Sequence, residues 1–443
     1  MKENSMNVLK LAESENVKFI RLQITDINGF LKNVEIPVKM LNKALSKGIL
    51  FDGSSIDGFV RIDESDMKLI PDSETAVLVP WMSKQEKTIR LICDVHLPDG
   101  NRFEGDPRYC LKKVIEKSHS MGFQAYAGPE PEFFLLPRSK ENNLPIMNFM
   151  DKGSYFDLLP IDNGEETRKR IILHLEKIGF DVETAHHEVS PSQHEIDFEY
   201  TDILKTADNI QTFKWVVKTV ALMNGLHATF MPKPFEGING SGMHIHISLK
   251  RNGNNAFYDE KAPHQLSEEA LYFIAGIIKY APEFTAITNP TINSYKRLLP
   301  GFEAPTNISW ALGNRSAMIR IPETRKEETR LEIRNPDPTC NPYLALASIL
   351  GSGLKGIEDR IPPPAPVDGN IFEFDQQTKN KRKIKSLPKN LYDALLLLKK
   401  SDLIKNILEK HIFNKFLEMK EKEWLEYTKS VSEWEIENYL ELY

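Results

Sequence analysis

Four short stretches of this 443-residue chain share a pattern that constrains the fold more than anything else in the sequence. In MHIHISL, His244, His246 and Ser248 alternate with Met243, Ile245, Ile247 and Leu249. In TRLEIR, Arg330, Glu332 and Arg334 alternate with Leu331 and Ile333, and in HEIDF, Glu195 and Asp197 alternate with Ile196 and Phe198. GPEPEFFL sets Glu130 and Glu132 one residue apart beside an apolar run. Successive strand residues point to opposite faces, so each stretch offers one apolar face and one face of Glu, His and Arg. An ordinary solvent-facing sheet favours threonine, lysine and mixed polar residues instead. Glycines and prolines flank these strands, as in NGSGMH and RNPDPTCNP, and let backbone come close to a ligand. The expectation is a curved antiparallel sheet whose polar, concave face lines a site.

The rest of the chain divides around that sheet. Its length predicts two or more domains. Residues 17–38 read as a β-hairpin turning at Asn28-Gly29, followed by a helix over 39–47, the loop FDGSSIDGF, and the strands TAVLVPW and TIRLICDV. Asp106-Pro107 opens a helix that Gly122 closes, which places a domain boundary at about 100–105. Further helices are expected over 166–178, 206–224 and 267–280, the last stopping before Pro282.

Composition excludes several function classes. A net charge of -6 gives no electrostatic reason to expect direct nucleic-acid binding, and the basic run KNKRKIK at 379–385 reads as a solvated loop. Cys93, Cys110 and Cys340 lie far apart, which fits neither a disulfide framework nor a zinc knuckle and suits a reducing cytoplasm. The N-terminus lacks the apolar stretch of a signal peptide, and no segment is expected to reach the roughly 18 apolar residues of a membrane span.

Carboxylates crowded onto one face repel unless a cation lies between them. Glu130, Glu132, Glu188, Glu195 and Glu332 with His244 form an oxygen-rich, thiolate-free donor set, which favours Mg²⁺ or Mn²⁺. The set exceeds the needs of one ion, so two are expected. Arg297, Arg315, Arg330 and Arg334 suit a substrate carrying phosphate and carboxylate groups, and the combination reads as nucleotide-dependent phosphoryl transfer. Neither a GxxxxGK[ST] loop nor a GxGxxG is present, so the nucleotide must be held by another architecture.

The segments FDGSSIDGF, GPEPEFF, HHEV, HEID, NGSGMHIH, KRLLPGFEAP, NRSAMIRIP and RLEIRNPDPTCNPYLA, in order from about residue 51 to 345, closely resemble the signatures of glutamine synthetase of the bacterial type I. The ending WEIENYLELY and the lack of an extra insertion look more like the α subtype than the adenylylated β subtype. The resemblance implies an α+β fold, with a β-grasp-like N-terminal domain (1–103) and a large catalytic domain (104–443). A curved antiparallel sheet flanked by helices would form the active-site channel. It further implies ligation of ammonia to glutamate with ATP as substrate, through a γ-glutamyl phosphate, in a cytoplasmic dodecamer of two stacked hexameric rings. A nitrogen-regulatory transcription factor is a docking partner the resemblance admits, without membrane contact.

By the same resemblance, Glu132, Glu188 and Glu195 would hold one metal ion, and Glu130, His244 and Glu332 the second. Arg297 would bind the glutamate carboxylate, with Asn239 and Gly240 at its amino end. Arg315 and Arg334 would stabilise the transferring phosphoryl group, Arg315 also touching ATP, while Glu183, Ser248 and Arg330 would line the nucleotide side. Glu303 would sit on a flap that shields the acyl phosphate, and Asp52 would take a proton from ammonium, reaching in from the neighbouring subunit. Arg61 would serve product control, drawing Glu303 away when glutamine binds. His246 is expected only as an inward polar neighbour. WALGNRSA departs from the more usual serine-containing segment, at no assigned residue, and Phe372 stands near the modified tyrosine of the β subtype. Two rival readings share the pattern: a ligase joining glutamate to a polyamine or other amine, and a catalytically dead regulatory relative, against which all six metal positions stand.

Overall fold

Segments that alternate in the sequence pair with one another in space. The computed structural model describes residues 3–59 and 66–443, so Arg61 lies outside the described residues. The N-terminal part comprises α1 (Glu3–Ser14), β1 (Phe19–Thr25), β2 (Leu31–Pro37), α2 (Leu41–Lys47), β3 (Ile49–Asp52), β4 (Asp66–Pro71), β5 (Val77–Leu78) and β6 (Thr88–His96). Its sheet runs β2-β1-β6-β4-β3, with β5 on β6, and β1 is parallel to β6. Ile20, Leu22, Leu69, Ile89 and Leu91 fill the core beneath it. The turn of the first hairpin is longer than the dipeptide expected, because the register pairs Thr25 with Leu31 and leaves residues 26–30 in the loop. Asp26 closes it by accepting from the Phe30 amide at 2.8 Å, and Gly29 supplies the positive φ of +87°.

The larger part begins with α3 (Pro107–Ser120), capped by Asp106, whose side chain accepts from the Arg108 amide at 2.9 Å. It continues through β7 (Gln124–Pro137), α4 (Glu165–Lys177), β8 (Val182–His187), β9 (Gln193–Phe198), β10 (Thr201–Asp202), α5 (Ile203–Met223), β11 (Leu226–Thr229), β12 (Met243–Arg251), β13 (Asn254–Asn255), α6 (Glu268–Thr288) and α7 (Ser294–Arg297). Then come β14 (Asn307–Ile308), β15 (Trp310–Leu312), β16 (Ile319–Ile321), β17 (Leu331–Ile333) and α8 (Pro342–Glu358). The chain ends in α9 (Gln376–Lys381), β18 (Lys385–Ser386), α10 (Leu391–Lys399), α11 (Asp402–Lys429) and α12 (Glu433–Tyr439). The central curved sheet runs β15-β16-β17-β12-β7-β9-β8, with β10 and β11 on β7 and β13 on β12. Its apolar face, including Phe133, Leu135, Ile196, Ile245, Ile247 and Leu331, joins the buried faces of the helices in one core.

Three expectations are corrected here. The sheet is not wholly antiparallel: β15 and β16 run parallel, because a short loop starting at Gly313 (φ +67°) returns the chain alongside itself. Helix α6 does not stop before Pro282 but carries it inside and continues to Thr288. An interior proline costs about 3 kcal/mol, yet the turns beyond it bury Phe284, Ala286 and Ile287 almost completely, and burial of such side chains outweighs the lost bond. The same helix has the length and mean hydropathy, 1.2, of a membrane span, contrary to the expectation that no segment would. It nevertheless lies in the protein core against α8, where Gly276 and Gly356 leave no room for a Cβ against Gly356 Cα and the Tyr272 carbonyl respectively.

The two parts meet at Arg108. Its guanidinium pairs with Asp72 at 2.8 Å and Asp94 at 2.7 Å on the N-terminal side, and with Asp208 of α5 at 2.8 Å on the other. Tyr343 donates to the same Asp208 at 2.7 Å. Ile27, from the first hairpin loop, inserts into the large core.

Candidate active site

Strand register assembles the polar face into a continuous row. Arg320 lies opposite Glu332, Glu332 opposite His246, His244 opposite Glu130, Glu132 opposite Glu195, and Glu195 opposite His186. Antiparallel pairing makes such partners the closest side-chain neighbours on the sheet. The row floors a cavity of about 830 Å³. Glu130, Glu132, Glu188, Glu195, His244, Glu332, Asn239, Gly240, Arg297, Glu303, Arg315 and Arg334 all line it. An adjoining cavity of about 520 Å³ shares Glu130, Thr184 and Asp197 with the first and is lined by Glu183, Ser248 and Arg330. Asp52 lines neither; it is exposed on the N-terminal part, its carboxylate accepting from the Ser54 hydroxyl at 2.6 Å and the Ser54 amide at 2.9 Å, which hold its pKa below the ordinary value.

Among the described residues three groups of donors stand close enough to share an ion; Asp151, Asp162 and His194 form one that lies outside the row, and two belong to the row. One is Glu130, His246 and Glu332; the other is His186, Glu188 and Glu195. His246, expected only as a neighbour, therefore joins the first group, with Nε2 2.6 Å from Glu130 Oε1. His244 stands beside it, Nδ1 3.2 Å from Glu130 Oε2 and 3.8 Å from Glu332 Oε1. Glu132 stands outside the second group: its Oε2 accepts from the Gly242 amide at 2.8 Å and from Gln193 Nε2 at 3.0 Å. His186 takes the place beside Glu195, at 3.2 Å.

The titration of these groups reflects their crowding. Burial, then the Glu132 charge, pushes Glu188 up to about 8, and burial followed by the Asp197, Glu132 and Glu130 charges raises Glu195. Burial also opposes the charge of Glu130 and Glu332, but the histidines hold Glu130 well below its ordinary value, and Arg334 with the histidines holds Glu332 down to about 2. The Glu188 side thus stays protonated at neutral pH unless a cation compensates it. A hard divalent ion fits this oxygen-rich set.

Arginines border the row at fixed positions. Arg297, 2% exposed, donates to the carbonyls of Asn335 at 2.9 Å and Arg334 at 3.1 Å. Arg334 bonds Glu332, while its Nε has no partner. In the smaller cavity, Arg330 donates to His246 Nδ1 at 3.1 Å, and Ser248 bonds the hydroxyl of Tyr200, which stacks on Tyr126 at 5.6 Å.

Several lining residues were missed. Arg320 pairs with Glu332 at 2.5 Å; its AMIRIP context carries the same alternation that revealed the others. Tyr155 and Phe156 stack at 4.1 Å and meet the His186 ring edge-on at 5.1 and 4.9 Å. They sit in a loop with no periodicity to betray them.

Comparison with known proteins follows the same division. Residues 104–439 match the glutamine synthetase catalytic domain and residues 16–98 the glutamine synthetase beta-Grasp domain. The chain belongs to the glutamine synthetase family. It is 54% identical over 435 residues to the glutamine synthetase of Thermotoga maritima, covering 98% of this chain and 99% of that one. To that of Thermus thermophilus it is 55% identical over 440 residues, covering 98% of both. Among solved structures, a GmaS/ADP complex aligns with a TM-score of 0.89 at 31% identity, covering 98% of this chain and 99% of that one. The Plasmodium falciparum glutamine synthetase aligns with a TM-score of 0.88 at 27% identity, covering 99% of each. The activity of this glutamine synthetase family member is ligation of ammonia to glutamate.

Proposed function

We propose that the chain makes glutamine in two steps within the shared cavity. The γ-carboxylate of glutamate attacks the terminal phosphorus of ATP, ADP leaves, and γ-glutamyl phosphate forms. Ammonia then attacks the acyl carbon and inorganic phosphate departs. The observation that carries this reading is the single row of opposed carboxylates and imidazoles bordered by Arg297, Arg315 and Arg334. Two or more Mg²⁺ or Mn²⁺ ions, held by Glu130, Glu132, Glu188, Glu195, His244 and Glu332, would neutralise phosphate charge and polarise the terminal phosphoryl group.

The remaining roles belong to the chain's own groups. Arg297 receives the glutamate carboxylate, and Asn239 and Gly240 stand at its amino end. Arg315 and Arg334 face the transferring phosphoryl group, where charge-assisted donors lower the barrier. Glu183, Ser248 and Arg330 line the adjoining cavity, which takes the nucleoside. Glu303 closes over the acyl phosphate and keeps water out. Asp52 accepts the ammonium proton in a neighbouring subunit's site; its exposure and its place outside both cavities of its own chain support that reading. An assembly of more than one subunit follows from it, and family membership favours two stacked hexamers, a dodecamer, in the cytoplasm. Phe372 offers no hydroxyl to adenylylate, which favours the unmodified subtype.

Steady-state assays with ammonia, methylamine and a polyamine test the proposal. Ammonia should support the highest kcat/KM, with one phosphate released per glutamine. A preference for a larger amine would replace the reading with an amine ligase.

A further inference from the structure

One buried cation outside the residues assigned so far touches both loops that border the glutamate end of the cavity. Lys233 lies in MPKPF between β11 and β12 and is 8% exposed. Its backbone is gripped twice by one side chain: the Lys233 amide donates to Asn293 Oδ1 at 2.7 Å, and Asn293 Nδ2 donates to the Lys233 carbonyl at 3.0 Å. Asn293 immediately precedes α7, which carries Arg297. The root of the lysine is therefore fixed to the same element that presents the carboxylate-binding arginine.

From that root the side chain reaches two ways. Nζ donates to the carbonyl of Ile238, next to Asn239 and Gly240. The same ammonium lies 3.3 Å from the centroid of the Phe302 ring, next to Glu303. Burial lowers its pKa from the ordinary lysine value, and a carbonyl and a ring face stand where water would otherwise solvate the charge.

We infer that Lys233 is a positioning residue, a clasp through which the glutamate-binding loop holds the flap shut: the Phe302 ring seats on the ammonium, and Glu303 is thereby kept over the cavity. This rests on the reading of Glu303 as flap and Asn239–Gly240 as substrate loop. When the substrate loop is in place, the Ile238 carbonyl directs Nζ toward the ring. When the clasp is lost, the flap opens more often and water reaches γ-glutamyl phosphate. Water oxygen then attacks the acyl carbon, phosphate leaves, glutamate is regenerated, and ATP is spent without glutamine.

The test compares Lys233→Met, which keeps the apolar stem, Lys233→Arg, which keeps a cation, Phe302→Leu, and the Met/Leu double variant, each as full-length enzyme. The parent should release about one phosphate per glutamine. Lys233→Met and Phe302→Leu should raise that ratio a few-fold to about tenfold, the range a desolvated cation–π contact allows. Lys233→Arg should restore it, KM for ATP should stay near the parent value, and the double variant should leak no more than the worse single one. A ratio near one in Lys233→Met, or additive leakage in the double variant, overturns the clasp. Hydrogen exchange of residues 299–306 reads the flap independently of turnover. Faster exchange there in both single variants, with the rest of the chain unchanged, is expected, and unaltered exchange overturns the proposal. If the parent itself forms no glutamine from ammonia, the ligase reading fails and the exchange measurement alone decides the clasp.

Discussion

Glu132 and Glu195 face each other directly across the β7–β9 ladder, a carboxylate opposite a carboxylate in a buried site. Like charges in that relationship destabilise a sheet. The Gly242 amide and Gln193 Nε2 answer part of the Glu132 charge and His186 stands 3.2 Å from Glu195, and a bound cation would compensate the rest.

Replacing Glu132 with Gln should therefore separate stability from turnover. Relief of repulsion should leave the urea midpoint of the metal-free protein unchanged or raised. Glutamine formation at saturating Mg²⁺ should fall on the order of 100-fold or more, the scale of lost metal support. Undiminished turnover would remove Glu132 from the metal assignment.

Glu188 carries a pH signature with a definite sign. Its carboxyl titrates at about 8 in the fold and near the ordinary 4.5 when unfolded, so the native state keeps a proton that the unfolded chain has released. Its contribution to stability is complete below about 4.5 and is lost as pH rises through about 8. Metal-free parent should lose urea resistance relative to metal-free Glu188→Gln as pH rises from about 4.5 to about 8, and saturating Mg²⁺ should reverse the order. A parent–variant difference that stays constant over that range contradicts the prediction.

Asp52 should act across subunits. Asp52→Ala and Glu188→Gln should each be nearly inactive, yet co-assembled in equal amounts they should regain activity, because about a quarter of sites then draw both intact residues from different chains. Mixed assemblies as inactive as either parent variant would place the proton acceptor elsewhere.

Gly356→Ala tests the close contact between α6 and α8. The added methyl collides with the Tyr272 carbonyl, so overpacking should cost about 1–3 kcal/mol. Urea unfolding of the variant should show a lowered midpoint; an unchanged midpoint would mean that α6 and α8 slide apart freely.

Legibility in the sequence followed periodicity. His244, Glu332, Glu195 and Glu130 stand at alternating positions of regular strands, so a period of two revealed both their direction and their chemistry. Tyr155 and Phe156 escaped because an irregular loop has no period, and its side chains are placed by stacking on each other and by contact with His186, distant in sequence. The extension of α6 beyond Pro282 escaped for a different reason: local chemistry argues for a stop, and burial of the turns beyond it in the core, among elements distant in sequence, overrides it. The parallel β15–β16 pair depends on the turn at Gly313, which alternation alone cannot show.

The Arg108 junction makes the two parts a single unit of inheritance. A fragment ending before Arg108 would leave Asp72 and Asp94 without its charge, and a fragment starting there would bury a guanidinium with Asp208 alone to answer it. Recombination between relatives would yield a working joint only where the two aspartates travel with a compatible arginine. The boundary that divides the fold most cleanly is thus a poor place to cut the gene.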